Sequence, residues 1–330
     1  MPLGERLLAR PRAPCGSECL GSVRRMQGHG DGARPPSADI TVPETFRAMP
    51  RWWSEGSGWL DALPRLVRTY CSRWQLTVTG DMQHGSNAAV VPVVRAGEPL
   101  VLRLTPPGPG VAEQVDALRF WDGRGTVRLI DADTAGGVML LERLASDASV
   151  QDVPVAEAMP ILGQMMRRLA IPAPAHVPST ADVVVARMAT LRTDWELWGR
   201  PFPELALRQA FEAGSRLSRT ESQLAVNGDL HSAQVLRGDR EWWLTVDPVL
   251  MRGDIAFDLG RILWTRVDEM RDAADIVRHF EAAVSAAGVD RDHGRDWVVF
   301  RAIDYWLWGL AAGLTEDPER CRRLVLAFVH

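Results

Sequence analysis

Apolar residues recur at helical spacing through Leu60, Leu63, Leu66, Val67 and Tyr70. That period predicts a helix opening near Ser57 or Asp61, with Pro64 in its first turn. The pattern then changes. Leu76 to Thr79, Ala88 to Val94 and Leu100 to Leu104 read as strands, separated by the loop Gly80 to Asn87 and by a turn at Ala96-Gly97-Glu98. A helix follows from Val111 to Trp121, and two more strands from Val127 to Asp131 and Val138 to Leu141. From about residue 155 the helical spacing returns: Met159, Leu162, Met166 and Leu169 mark one helix, which Pro172 and Pro174 stop. Val184, Met188, Leu191, Trp195 and Trp198 mark another, and Leu205 to Leu217 a third. Further helices are expected over Asp258 to Arg266, Ala273 to Ala287, Arg295 to Leu314 and near Glu319 to Phe328. No repeat of solenoid period is present. The order predicts an α+β chain with a small mixed β lobe over 41–143 and a larger helical lobe over 144–330. Residues 1–40, rich in Gly, Pro and Arg, predict a disordered extension, read as upstream translation with Met26 as a later start.

One hairpin interrupts the helical half. Its first arm is Gln234 to Arg237, its turn Gly238-Asp239-Arg240, and its second arm Trp242 to Val246. A hairpin returns its chain to where it started, so Asp229 and Asp247 should meet at the open end with Gln234 between them. Two carboxylates and an amide carbonyl are hard oxygen donors of the kind that Mg²⁺ accepts alongside substrate phosphates.

Composition narrows the field. The 330 residues are 46% hydrophobic and 24% charged, as in a globular chain, and the net charge of −4 argues against nucleic acid as a partner. No apolar run approaches the ~20 residues that cross a bilayer. Cys15, Cys19, Cys71 and Cys321 lack zinc spacing and predict free thiols in a reducing cytoplasm. All 38 Lys/Arg positions are Arg, which rules out a Walker A lysine and a Schiff-base lysine.

Asn227-Gly228-Asp229-Leu230-His231, Asp247-Pro248 and Gly253-Asp254-Ile255-Ala256-Phe257-Asp258-Leu259 together resemble the aminoglycoside phosphotransferase family, in its streptomycin and hydroxyurea branch. The resemblance implies a protein-kinase-like fold of two lobes and ATP-dependent transfer of phosphate to a hydroxyl of a small molecule, as in antibiotic resistance kinases. It implies Asp229 as the catalytic base, and Gln234 and Asp247 as Mg²⁺ ligands. It also implies Gly80, Gly85 and Ser86 over the ATP phosphates, Arg103 on them from the third strand, Glu113 as the partner of Arg103, and Glu142 in the strand beside adenine. Two positions depart from the family pattern: Arg103 stands for a lysine and Gln234 for an asparagine. Away from the resemblance, Arg103 reads as a solvent-facing residue on an edge strand and Asp258 as a helix N-terminal acid.

His231 is expected to orient Asp229 or its loop. Asp254 and Asp258 are expected to support that loop, with Asp254 also facing the acceptor. An acidic pocket from Asp254, Asp268 and Glu269 would suit a cationic, aminoglycoside-like acceptor. Trp264 and the Tyr305-Trp306-Leu307-Trp308 cluster read mostly as core. The expected assembly is a monomer or weak homodimer. Two rival readings stand beside the kinase: a nucleotide-binding pseudokinase, motivated by Arg103 and Gln234, and a metal-dependent hydrolase built on Asp229 and Asp247.

Overall fold

The structure is a computed structural model and describes residues 40–329. The expectations for the segment before residue 40, including Cys15, Cys19 and Met26, lie outside the described residues. Contacts divide the described chain into two units, residues 40–123 with 127–147, and residues 124–126 with 148–329.

The first unit opens with α1 (Glu44–Arg47) and α2 (Arg51–Glu55), then α3 (Gly58–Trp74). Ser57 is the residue before α3, so Pro64 falls beyond the first turn rather than within it. Next come β1 (Thr77–Val78), β2 (Gln83–His84), β3 (Ala89–Arg95), β4 (Glu98–Leu104), α4 (Pro109–Trp121), β5 (Leu129–Asp133) and β6 (Val138–Glu142). The glycine loop is therefore not wholly irregular, because Gln83 and His84 pair with Val90 and Ala89. The β3–β4 turn is tight, with φ of 51° at Ala96 and 86° at Gly97, the left-handed pair that a two-residue hairpin turn demands. The strands order β1-β3-β4-β6-β5. Ala89, Val91, Val93, Leu100, Leu102 and Leu104 join Leu60, Leu63 and Val67 of α3 in one core.

The register corrects one alternative. β4 lies in the middle of the sheet, not at its edge, and Arg103 stands opposite Val90 on one side and Met139 on the other. Its side chain is buried. A solvent-facing edge arginine is therefore excluded, since a charge is taken out of water only where the surroundings hold it.

β7 (Ala145–Ser149) leads into the second unit, which contains α5 (Val155–Leu169), α6 (Thr180–Leu197), α7 (Glu204–Leu217), β8 (Leu224–Val226), β9 (Val235–Arg237), β10 (Trp243–Thr245) and β11 (Met251–Gly253). It closes with α8 (Leu259–Trp264), α9 (Ala273–Ala287), α10 (Arg291–Ala311) and α11 (Glu316–Phe328). α9 packs on α5, and α10 on α7 and α11. Their apolar faces form one core with Phe257, Ile262, Leu263, Phe280, Trp297 and Phe300 at its centre. Among the described residues no helix is long and apolar enough to cross a membrane.

Candidate active site

Two short antiparallel ribbons frame the acidic loops of the second unit. The expected hairpin is present: Arg237, Leu236 and Val235 pair with Trp243, Leu244 and Thr245. Gln234 is not in its first arm as expected, but ends a single 3-10 turn over Ser232–Gln234. Its carbonyl still accepts the Val246 N–H at 3.0 Å, which sets Gln234 beside the residue before Asp247.

The second ribbon was not foreseen. Leu224, Ala225 and Val226 of β8 pair with Gly253, Arg252 and Met251 of β11. It clamps together the start of the Asp229 loop and the end of the Asp247 loop. Asn227 fastens them further, because its Oδ1 accepts the N–H of Asp229 at 3.4 Å and of Val249 at 3.2 Å. Gly228 between them has φ of 77°, and a Cβ there would lie 2.7 Å from Met251 Sδ.

Asp229 is half-buried and held at both oxygens. Gln234 Nε2 donates to Oδ2 at 3.3 Å, and Arg261 Nε lies 2.8 Å from Oδ1. The other end of the Gln234 amide, Oε1, is buried with no hydrogen-bond partner. His231 is buried and its Nδ1 likewise has no partner. Burial first, and then the charge of Arg261, push its ring down to about 4 against the pull of Asp229 and Asp247. The imidazole is thus neutral at pH 7, within electrostatic reach of both aspartates.

Behind the loop, Asp258 is completely enclosed. Burial, reinforced by the charge of Asp229, raises its carboxyl to about 7, although the N–H groups of Leu230 and Gly228 and the nearby Arg301 favour its charged form. Asp254, at the end of β11, does not face an open pocket. It is buried, accepts the Trp297 indole N–H at 2.9 Å, and pairs with His293 Nε2. Its Oδ1 caps the following turn at Ala256 N. Asp268 is paired with Arg320 and Arg323, and Glu269 with Arg266. Asp254, Asp268 and Glu269, expected to make an acidic pocket, thus each already pair with a cation or hydrogen-bond donor of this chain, Asp268 and Glu269 while remaining exposed.

In the first unit, Gly85 and Ser86 are exposed. A Cβ at Gly85 would meet nothing within 4 Å, whereas one at Gly80 would touch Pro92 Cγ at 3.3 Å. Glu113 is half-buried on α4. Glu142 ends β6, and its Oε2 accepts the Arg128 N–H at 3.0 Å, a clip within its own sheet.

A family model described as aminoglycoside/hydroxyurea antibiotic resistance kinase matches residues 73–313. The chain belongs to that family. This kinase is 31% identical to streptomycin 6-kinase of Streptomyces glaucescens, over 84% of this chain and 94% of that protein. It is 31% identical to hydroxyurea phosphotransferase of Kitasatospora aureofaciens, over 92% and 90% of the two chains. Among solved structures, a thermostable mutant of an aminoglycoside phosphotransferase, in ternary complex with AMP-PNP and hygromycin B, shares its fold with a TM-score of 0.54 at 16% identity. That match covers 79% of this chain and 97% of the other. The protein-kinase-like α+β fold and the phosphotransferase class expected from the sequence are both borne out.

Sequence reasoning passed over Asn227, Arg261 and Arg266. Arg261 was open to notice, as a lone cation in the apolar turn Leu259-Gly260-Arg261-Ile262-Leu263-Trp264. Asn227 stands in the family motif, but its clasp, like that of Arg266, depends on partners brought in by the fold.

Proposed function

We propose that this kinase uses Asp229 as the base that receives the acceptor hydroxyl proton, with Gln234 and Asp247 as ligands of Mg²⁺. The observation that carries the reading is the Gln234 amide, with its N–H on Asp229 and its buried Oε1 lacking any hydrogen-bond partner. A buried carbonyl is rarely left unmatched, and a hard oxygen donor beside two carboxylates suits Mg²⁺. Among the described residues no three His, Cys, Asp or Glu converge as a metal site, in keeping with a metal that takes one or two carboxylates and completes its shell with phosphate and water. When bound, the ion would neutralise charge on the transferring phosphate.

The chain's own residues supply positioning. Gly80, Gly85 and Ser86 offer a loop for phosphate, and Gly85 has free space above its Cα. Arg103 supplies a buried cation on β4 of the lysine-free chain, and its planar guanidinium suits phosphate oxygens. Glu113 is assigned to hold Arg103, and Glu142 to the strand beside adenine, where its side chain braces the backbone. Domain roles follow: the β lobe holds the ATP phosphates, and the helical lobe holds the base, the metal and the acceptor.

The acceptor is a small molecule bearing a hydroxyl. The pairing of Asp254, Asp268 and Glu269 with cations or hydrogen-bond donors weighs toward an uncharged acceptor such as hydroxyurea over a polycation such as streptomycin.

Thermal shift with ATP and Mg²⁺ tests the site, in wild type and in Asp247→Ala. ATP at a hundred times its dissociation constant should stabilise wild type by about 2.7 kcal/mol, and the variant should lose that gain. An unshifted wild type, or an Asp247→Ala variant that keeps the full shift, would refute the metal assignment. Turnover with hydroxyurea against streptomycin then assigns the acceptor.

A further inference from the structure

The cation nearest Asp229 has no part in the metal or nucleotide roles. Arg261 Nε sits 2.8 Å from Asp229 Oδ1. Its N–H points off that line, so the contact is an ion pair rather than an aligned hydrogen bond. Burial works against its charge, but the carboxylates of Asp229 foremost and then Asp317 hold it on.

Arg261 is itself fixed from behind. Its guanidinium carbon lies 5.4 Å from the Trp264 ring centre and 5.9 Å from that of Tyr305. Those two rings stack at 4.2 Å and 15°, and Tyr305 stacks again on Trp308 at 4.9 Å. The Tyr305 hydroxyl donates to Asp317 Oδ2 at 3.2 Å, which pins the aromatic shelf to α11. A planar cation over aromatic faces keeps little rotational freedom. With Gln234 on the other oxygen at 3.3 Å, the Asp229 carboxylate is gripped at both ends. Alignment of that kind matters because a base acts only within hydrogen-bond reach of the proton it takes.

We infer that Arg261 is the positioning residue of the catalytic base, its planar guanidinium fixing the orientation in which Asp229 meets the acceptor hydroxyl. The inference rests on the reading of Asp229 as base. Arg261 acts through Asp229 and leaves nucleotide binding alone.

The test measures ADP formation from Mg²⁺·ATP, with streptomycin, hydroxyurea or water as acceptor, in Arg261→Gln, Arg261→Lys, Asp229→Asn and the Asp229→Asn/Arg261→Gln double variant. Arg261→Gln should lower kcat on the order of 100-fold, the penalty of a misplaced catalytic group, with the KM for ATP unchanged. Arg261→Lys keeps the charge without the planar fork and should recover part of the loss. In the Asp229→Asn background the Arg261→Gln change should cost nothing more, because residues acting as a unit are not additive. A wild-type kcat in Arg261→Gln, an equal loss in the Asp229→Asn background, or a raised KM for ATP overturns the inference. Should Arg261→Gln fail to fold, Arg261→Lys decides: reduced kcat at unchanged KM supports it, and wild-type kcat overturns it. Full turnover in Asp229→Asn, or none in wild type with any acceptor, would instead bring down the underlying reading of the base.

Discussion

The buried carboxyl of Asp258 lies within electrostatic reach of Asp229, whose charge adds to burial in raising it to about 7. The N–H groups of Leu230 and Gly228, which flank Asp229, pull the other way and favour its charged form. Asp258 is fully enclosed.

The raised carboxyl of Asp258 predicts a specific pH dependence. An acid whose native pKa lies above its unfolded value holds a proton that the unfolded chain has lost. Its stabilising contribution is complete below the unfolded value of 3.8 and is lost as pH rises through about 7. Asp258→Asn, which keeps the accepting oxygen and cannot ionise, should flatten that slope. The difference in unfolding free energy between wild type and variant should change by up to about 4 kcal/mol between pH 4 and 7, by linkage. Urea unfolding across that range measures it, and parallel curves for the two proteins would contradict the assignment.

Much of the fold could be read from local pattern, because turn chemistry and amphipathic spacing are local. The Gly238-Asp239 turn, the Ala96-Gly97 turn and the helix Ala273–Ala287 all lie where the sequence puts them. The β8–β11 ribbon could not be read, since three residues a side are too few for a period and its register is set by the loops it joins. The environment of each acid was equally hidden. Asp254 looked available to a substrate until His293 and Trp297, far along the chain, were seen to occupy it. Arg261 and Asp229 meet only because α8 turns back under the loop.

Asp254 and His293 predict a second pH window. The Asp254 carboxyl is held low, since the bonds from His293 and Trp297 outweigh its burial. The His293 ring is held high by Asp254 against its own burial. The aspartate contribution is present above 3.8 and lost as pH falls through its lowered value. The histidine contribution is complete below 6.5 and lost as pH rises through its raised value. Their common window lies between. His293→Gln should therefore cost about 1 kcal/mol at about pH 5.5, discounted because the ring is partly exposed, and less at about pH 8.5. Chemical unfolding at the two values distinguishes this from a pH-independent packing loss.

Arg266 predicts a large stability effect well away from chemistry. Its guanidinium is buried and donates to Val150 O at 2.9 Å, Val153 O at 2.8 Å and Ser232 Oγ at 3.2 Å. It thus joins the entry to α5 with the turn that carries Gln234. Arg266→Ala should cost about 3–5 kcal/mol, the scale for removing one partner from a buried charged network. Its ion-pair partner Glu269 is exposed, so Glu269→Ala should cost less than about 1 kcal/mol. Equal losses in the two variants, measured by urea midpoint, would show that the ion pair rather than the buried carbonyl contacts carries the stability.

Gly228 and Gly85 should separate a glycine needed by the fold from one needed by the ligand. At Gly228 the φ of 77° disfavours any side chain, and a Cβ would press on Met251 Sδ at 2.7 Å and Val249 Cγ1 at 3.2 Å. Met251 is fully buried and paired with Val226, so it has nowhere easy to move. Gly228→Ala should lose about 1–2 kcal/mol from the backbone alone, and more from the contact. Because Asp229 is the next residue, kcat should fall while the KM for ATP stays near wild type. At Gly85 the backbone is ordinary and the space above it open. Gly85→Ala should keep the wild-type melting temperature and raise the KM for ATP, since the added methyl occupies room assigned to phosphate. Paired melting curves and ATP titrations check both. A Gly85→Ala protein with wild-type ATP affinity would show that the loop does not close on the phosphates.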